Sequence, residues 1–124
     1  MIQNIIIGNL AIDCADTQRA REFYAALTGW ERIIAYDCLA LRAYNGMILL
    51  FEEPDDIPYH PPVWPEEYGR QQKQMHFDFQ VDDLFAAVEE AIRLGATKAA
   101  AQFGGGHFVT MLDTEGHPFC LCKK

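Results

Sequence analysis

A weak internal repeat constrains the fold of this chain more than any other feature of its sequence. An alternating strand pattern that begins at Asn9 begins again at His76, 67 positions later (76 minus 9), and Asp16 is matched by Asp83 at the same spacing. In both copies a helical pattern and three short β-prone segments follow the first strand. Because repeated supersecondary units are the simplest source of such self-similarity, we expect an α+β fold built from two βαβββ modules.

The first copy carries a clear helix signal. Apolar side chains recur at the spacing of one helix face within Thr17–Thr28, Asp16 precedes the segment as an N-cap, and Gly29 follows it as a left-handed closing residue. Turns are predicted at Asp37-Cys38 and at Asn45-Gly46, where both residues tolerate positive φ. The strands predicted around these elements are Asn9–Cys14, Arg32–Tyr36, Leu39–Tyr44 and Met47–Glu52.

The second copy opens with strict alternation of polar and apolar residues over Gln74–Asp83. Successive strand side chains point to opposite faces, so one face is expected to pack while the other stays polar. A helix is predicted to begin at Leu84, after two capping aspartates, and to close at Gly95. The packing face is Phe77, Phe79 and Val81, and the polar face is His76, Asp78 and Gln80. The later strands are predicted at Thr97–Ala101, Phe108–Leu112 and Pro118–Cys122.

Residues Glu53–Gln74 interrupt the repeat, because five of the six prolines fall there. Proline fixes φ and removes a backbone donor, so neither a helix nor a strand is expected. A loop of this length is either a flap over a site or a linker whose aromatic side chains pack on the neighbouring surface, and its aromatic content favours a flap. We expect one domain, with module 1 at about 1–53, the connection at 54–74 and module 2 at about 75–124.

Charge and cysteine content limit the partners and the compartment. Lys and Arg number 10 and Asp and Glu number 18, which gives a net charge of −8. A nucleic-acid partner is therefore not expected, and cationic or neutral small ligands are favoured. No apolar run reaches the roughly 20 residues of a membrane span, and Met1–Leu10 lacks a secretory-signal pattern, so we expect a cytoplasmic protein without a membrane partner. Four cysteines without Cys-x-x-Cys spacing favour reduced, buried thiols. They are Cys14, Cys38, Cys120 and Cys122.

Four fragments of the sequence occur in a familiar order. They are Asp13-Cys14-Ala15-Asp16, Phe23-Tyr24-x-x-Leu27-x-Gly29-Trp30, His76-Phe77-Asp78-Phe79-x-Val81-Asp82-Asp83 and Asp113-x-x-Gly116. Through them the chain resembles the glyoxalase/bleomycin-resistance/dioxygenase superfamily, also called vicinal oxygen chelate proteins. The resemblance covers nearly the whole chain. It implies that the modules form a curved mixed sheet, an open-barrel cup with the helices on its outer face, and that two copies form a homodimer.

The resemblance also implies where metal-dependent members place their ligands. These positions fall on Asn9 and His76 at the first strands of the two modules, and on Leu50 and Cys120 in the last strands. Only His76 is a ligand of the expected type, since most catalytic metal sites need three firm donors and a leucine has no donor atom. No cofactor is therefore expected, and a divalent metal held through His76 is the alternative.

A polar cluster is predicted around His76. Asp78, Asp13 and Glu52 lie on the corresponding faces of their strands. A histidine among carboxylates can act as a general base, so His76 and Asp78 are the candidate catalytic residues, and a histidine merely satisfied by a carboxylate is the alternative. The candidate ligand-binding residues are Asn9, Asp13, Trp30, Leu50, Glu52, Trp64, Phe103 and Cys120, with Tyr59 and Tyr68 as further aromatics of the connection. His60 lies in that connection, and His107 and His117 are expected to be peripheral.

Two functions from different classes follow from these residues. The first is a metal-independent binding protein of the bleomycin-resistance kind, in which an acidic, aromatic cup holds a small cationic or aromatic compound. The alternative is a metal-dependent lyase, isomerase or dioxygenase of the same superfamily. The missing donors at Asn9 and Leu50 favour the first.

Overall fold

The structure is a computed structural model that describes residues 1–124, and it contains two helices and eight strands. In chain order these are β1 (Asn9–Asp13), α1 (Thr17–Thr28), β2 (Glu31–Ala35), β3 (Cys38–Arg42), β4 (Ile48–Glu52), β5 (Asp78–Val81), α2 (Leu84–Arg93), β6 (Thr97–Lys98), β7 (Phe108–Leu112) and β8 (Pro118–Lys123). The order βαβββ therefore occurs twice, which confirms the predicted α+β fold of two such modules.

The strands form two open four-stranded mixed sheets of the same topology. The orders are β1-β4-β3-β2 and β5-β8-β7-β6. In each sheet the first strand of the module pairs in parallel with the last strand, and the other pairs are antiparallel. The chain divides into two compact units, Met1–Tyr59 and His60–Lys124, each with one sheet and one helix. The division falls inside the Pro-rich connection.

Helix α1 has the predicted ends and the predicted buried face. Asp16 accepts a hydrogen bond from the backbone N–H of Arg19, and Gly29 has a φ of 75°. Tyr24 is fully buried and stacks on Phe51 of β4, with ring centroids 6.1 Å apart. This contact attaches the helix to one face of the N-terminal sheet.

The hairpin turns of the N-terminal unit differ from the prediction in detail. Between β2 and β3, positive φ occurs at Tyr36 (53°) and Asp37 (61°), one position earlier than the predicted turn. A two-residue hairpin loop of type I′ has positive φ at both central residues, and the Ala35–Cys38 pair closes this one. In the Asn45-Gly46 turn only the glycine has positive φ, because the Asn45 side chain instead accepts a hydrogen bond from the N–H of Met47.

The repeat extends to the last turn of each unit. Gly46 and Gly116 have φ values of 88° and 86°. Each donates its N–H to the carbonyl three residues earlier, Ala43 at 2.9 Å and Asp113 at 3.1 Å. The two units therefore share a backbone conformation where their sequences share only a glycine.

The C-terminal unit repeats the helix arrangement. The Asp83 carboxylate accepts a hydrogen bond from the N–H of Ala86, and the chain leaves α2 through Leu94 and Gly95, whose φ is 115°. Between the neighbouring strands β5 and β8, Phe79 packs edge-on against Phe119, which is fully buried. The predicted N-cap and closing glycine of this helix are confirmed.

Strand β6 is shorter than predicted, because a side chain replaces its end. After Lys98 the chain leaves the sheet, and the Gln102 amide donates to the carbonyls of Ala99 and Thr110, both at 2.7 Å. The same amide accepts from the N–H of Thr110 at 2.8 Å. Gln102 thus satisfies the backbone groups that a longer β6 would have paired.

The Pro-rich connection contains neither a helix nor a strand, as predicted. All four cysteines are free: Cys14 and Cys120 are buried, and Cys38 and Cys122 are partly buried. Neither helix has the length and apolar character that a membrane span requires.

Candidate functional site

Three side chains of the C-terminal unit come together at the start of β5. His76 lies two residues before this strand, Asp78 is its first residue, and Cys120 is the residue paired with Asp78 on the parallel strand β8. His76 Nε2 lies 3.1 Å from Asp78 Oδ1, and one ligand atom from each of the three residues lies within 4.8 Å of the others. The strand predicted from Gln74 begins only at Asp78, so His76 makes this contact from the segment that precedes the strand.

The two polar members of this cluster can be reached from solvent. The side chain of His76 is 37% exposed and that of Asp78 is 59% exposed. With the Nε2–H donating to Oδ1, the ring still has Nδ1 and the carboxylate still has its second oxygen. The pair can therefore offer two acceptors to a bound molecule.

The Cys120 thiol is held in its protonated form. Burial raises the pKa of this thiol, and the negative charge of Asp78 raises it further. The Thr110 hydroxyl, 3.5 Å from Sγ, and the positive charge of Lys73 act in the opposite direction but do not overcome burial. The pKa of the Cys122 thiol is also raised, mainly by burial and next by the negative charge of Asp78. Because the thiolate is the reactive form, neither cysteine is an activated nucleophile at neutral pH.

Trp64 anchors the second half of the Pro-rich connection within the C-terminal unit. Its Nε1–H donates to the carbonyl of Ala101 at 3.2 Å, and its ring meets Phe103 edge-on at 5.9 Å. Lys73 lies over the Trp64 ring with Nζ 4.8 Å from the centroid, and it also pairs with Glu66 at 2.7 Å. One face of the indole therefore already contacts a cation, which supports the packed-linker alternative for this part of the connection. Tyr68, in contrast, is fully exposed.

The predicted site residues of the N-terminal unit lie on the equivalent strands. Ala11 pairs with Leu50 in the first sheet as Asp78 pairs with Cys120 in the second, and Asn9 precedes Ala11 as His76 precedes Asp78. Leu50 is buried, so this position contributes only apolar surface.

The other predicted residues of the N-terminal unit lie farther along the chain. Asp13 and Glu52 pair at the far end of β1 and β4, with Asp13 exposed and Glu52 partly buried. Trp30 follows α1 and is partly buried, and its backbone N–H donates to the Thr28 hydroxyl. Asp13, Glu52 and Trp30 therefore do not reproduce the cluster of histidine, carboxylate and thiol that the C-terminal unit contains.

Comparison with known proteins identifies the family. The sequence profile of the glyoxalase-like domain matches residues 9–122. The chain belongs to the glyoxalase-like domain family. No curated protein matches this glyoxalase-like domain significantly.

Solved structures with this fold cover nearly the whole chain. A glyoxalase/bleomycin resistance protein/dioxygenase family enzyme from Burkholderia phytofirmans PsJN gives a TM-score of 0.71 at 17% identity, over 96% of this chain and 98% of that one. A glyoxalase-related enzyme from Fulvimarina pelagi gives 0.68 at 13% identity, over 99% and 89%. The antibiotic binding protein TnmS3 from Streptomyces sp. CB03234 gives 0.64 at 11% identity, over 99% and 98%. These likenesses confirm the fold, and the profile match over residues 9–122 confirms the family resemblance.

The glyoxalase-like family implies a divalent metal, but the donors of this chain do not fit that ligand set. The C-terminal unit offers one imidazole, one carboxylate and a thiol whose pKa is raised by burial. A thiol must lose its proton to coordinate, so this donor is weak at neutral pH. The equivalent positions of the N-terminal unit are Asn9, Ala11 and Leu50, which contribute one amide and two side chains without donor atoms.

Two neighbours of the site were missed in the sequence analysis. Thr110 pairs with Cys120 across the β7–β8 hairpin, and counting outward from the predicted strand ends Leu112 and Pro118 would have found it. Lys73 lies in the irregular connection, where no periodicity fixes the direction of a side chain, and no sequence signal points to it.

Proposed function

We propose that this chain is a metal-independent small-molecule-binding protein, and that its ligand contacts the strand face that carries His76, Asp78 and Cys120. The observation that carries the proposal is the exposed imidazole–carboxylate pair, 3.1 Å apart, beside a buried thiol. Such a surface combines hydrogen-bonding groups with a soft apolar patch, which is the usual composition of a ligand site. The antibiotic binding protein that shares the fold supports this class of function.

The charge of the chain favours a cationic or neutral aromatic ligand. The net charge is −8, and the exposed Asp78 carboxylate is the anionic group of the cluster. The ammonium of Lys73 is already paired with Glu66, so it offers little attraction to an anionic ligand. A cation close to Asp78 would gain Coulomb energy that salt weakens.

The remaining predicted contacts belong to the same proposal. Asn9, Asp13, Trp30, Leu50 and Glu52 of the N-terminal unit, and Trp64 and Phe103 of the C-terminal unit, stay predicted ligand contacts. The homodimer and the cytoplasmic location also stay predictions from the sequence. A metal-dependent lyase, isomerase or dioxygenase is the second candidate, and the cluster of three donor groups is the one observation that favours it.

A thermal-shift comparison of three matched probes tests the binding site. Benzylammonium, benzyl alcohol and benzoate share one ring and differ in charge, and we expect benzylammonium to raise the melting temperature most. The shift should shrink between ionic strengths of about 0.01 M and 1 M, because the Debye length falls from about 30 Å to about 3 Å. Ligands that bind only the native state raise its melting temperature by mass action.

Two charge-matched variants locate the effect. Asp78→Asn should abolish most of the benzylammonium shift, whereas Asp82→Asn, which removes an equal charge from an exposed residue paired with Lys124, should retain it. His76→Ala should weaken the response to the neutral probe as well. Equal loss in Asp78→Asn and Asp82→Asn, or the largest shift with benzoate, would refute the proposed site.

A further inference from the structure

The side chain of Lys73 is unusually sheltered for a lysine. Only 18% of it is exposed, whereas the side chain of Lys124, which is also in an ion pair, is 58% exposed. A lysine is seldom withdrawn from water unless its strongly hydrated ammonium finds partners. The Nζ of Lys73 lies 2.7 Å from the carboxylate of Glu66 and 4.8 Å from the centroid of the Trp64 ring. A carboxylate and an aromatic face therefore surround one ammonium group.

The aromatic face is held by contacts that do not involve Lys73. The N–H of Val63 donates to the carbonyl of Gln71 at 2.9 Å, which closes the loop that carries Trp64. The indole Nε1–H donates to the carbonyl of Ala101 at 3.2 Å. We therefore expect the indole to keep its position when the ammonium leaves it.

This ammonium lies beside the proposed ligand site. Lys73 precedes His76 by three residues, and its positive charge lowers the pKa of the Cys120 thiol, against the larger effect of burial. The same charge opposes the approach of a second cation to Asp78. The chain thus places its own cation where a cationic ligand is proposed to bind.

We propose that the Trp64 ring and the Glu66 carboxylate form a cation subsite of the ligand site, which Lys73 fills in the free protein and which an alkylammonium group of the ligand takes over. Aromatic faces recognise organic ammonium ions in this way. The internal ammonium lowers the apparent affinity for the ligand, because the subsite is free in only a fraction of the molecules. The displacement step rests on the proposed function, whereas the subsite can be tested without it.

Chemical replacement of the lysine side chain tests the subsite. Lys73→Ala deletes the atoms that make up n-propylammonium, so this ion is the probe, and n-propanol is its neutral control. In a Trp30→Phe background the fluorescence comes from Trp64 alone. We expect n-propylammonium to bind Lys73→Ala about tenfold more tightly than n-propanol does. Lys73→Arg, which keeps a cation at this position, should show no such preference. Lys98→Ala, which loses the same atoms from an exposed residue of β6, should also show none.

A second comparison tests the displacement. Lys73→Met removes the charge but keeps the length of the side chain, so the connection stays packed even if the alanine variant loosens it. Lys73→Met should bind benzylammonium several-fold more tightly than the wild type, and Lys98→Met should match the wild type. Equal affinity in Lys73→Met and the wild type would overturn the displacement step.

The outcomes separate the subsite from the proposed function. A Lys73→Ala variant that does not prefer n-propylammonium to n-propanol would overturn the subsite, and so would a preference that survives the further change Glu66→Gln. Loss of benzylammonium binding in Asp78→Asn together with either result would leave the proposed function standing. Selective n-propylammonium binding in Lys73→Ala, with benzylammonium binding unchanged in Asp78→Asn, would support the subsite and refute the ligand site at Asp78.

Discussion

The pKa of the Cys120 thiol depends mainly on its burial and on two neighbours, Asp78 and Thr110. Burial is the main reason that its pKa lies above the ordinary 9.0, the charge of Asp78 acts in the same direction, and the Thr110 hydroxyl acts against both. Cys122 shares the effect of Asp78 but not that of Thr110. Cys122 can therefore serve as the control for the effect of Thr110 on the pKa of Cys120.

We predict opposite shifts of the Cys120 titration in two variants. Asp78→Asn should lower the pH at which alkylation of Cys120 and Cys122 becomes fast, because the neighbouring negative charge is lost. Thr110→Val should raise that pH for Cys120 alone, because the thiolate loses its hydrogen-bond donor. The measurement is the rate of iodoacetamide modification against pH, resolved for each cysteine by mass spectrometry. If the modification rate of Cys120 has the same pH midpoint in the wild type, Asp78→Asn and Thr110→Val, then Asp78 and Thr110 do not act on the thiol.

The raised pKa of Cys120 also affects stability. Its folded-state pKa exceeds the unfolded value, so the protonated thiol contributes stability fully below about pH 9, and this contribution is lost as the pH rises through the folded pKa. Replacing Cys120 with valine should flatten the fall of unfolding free energy above that pH.

At the residue scale the sequence predicts neighbours along one strand better than neighbours across strands. The period of two places His76 and Asp78 on one face, and the structure brings them to 3.1 Å. The position of Cys120 beside them depends on the parallel register of β5 and β8. That register follows from the fold of the whole module. The place of Cys120 in the site was therefore predicted from the superfamily resemblance and not from residue spacing.

At the scale of elements, β6 shows how a side chain can end a strand. Gln102 makes three hydrogen bonds to the backbone of Ala99 and Thr110, and Thr110 is buried. The side-chain amide has one acceptor and two donor hydrogens, so it can imitate the N–H and C=O of a paired strand residue. The sheet edge is satisfied although β6 is only two residues long.

We predict that removing this amide destabilises the protein. Gln102→Ala removes the partner of the Thr110 N–H and of the Ala99 carbonyl, whereas the Thr110 carbonyl keeps the N–H of Ala99, and the loss should cost about 1–3 kcal/mol of unfolding free energy. Gln102→Met should cost as much, because it keeps the length of the side chain but not its polar groups. The measurement is urea unfolding, with Gln72→Ala, an exposed glutamine of the connection, as the control. A loss in Gln102→Ala that Gln102→Met restores would assign the role of Gln102 to packing instead.

The same element shows where sequence patterns fail. Both helices, with their aspartate caps and closing glycines, follow from side chains that act on their own backbone, and these were predicted correctly. The end of β6 depends on Gln102 reaching Thr110, eight positions away, and no local pattern encodes that contact. The Tyr36-Asp37 turn was misplaced by one residue because tyrosine is not a usual choice for positive φ.

At the scale of the whole molecule, the repeat conserves backbone and not chemistry. The units share strand order, register and the last turn, yet the positions equivalent to His76, Asp78 and Cys120 are Asn9, Ala11 and Leu50. The sequence repeat was enough to predict the two modules, because strand alternation and helix caps recur in both. The chemical difference between the modules rests on single side chains, which the fold tolerates freely.

This asymmetry leads to the prediction that decides between the two candidate functions. Since Leu50 offers no donor and the Cys120 thiol resists deprotonation, we expect the purified protein to contain well under one equivalent of Zn, Fe, Mn or Ni by elemental analysis. After incubation with excess Zn²⁺ and gel filtration, the wild type should retain no more metal than His76→Ala or Cys120→Ser. His107→Ala, which changes an exposed histidine of the glycine-rich turn, controls for nonspecific imidazole binding. One equivalent of metal that survives gel filtration in the wild type and in His107→Ala, and is lost in both other variants, would show that an imidazole, a carboxylate and a thiolate suffice. The metal-dependent enzyme would then replace the binding protein as the leading function, because the energy of metal coordination would have overcome the cost of ionising a buried thiol.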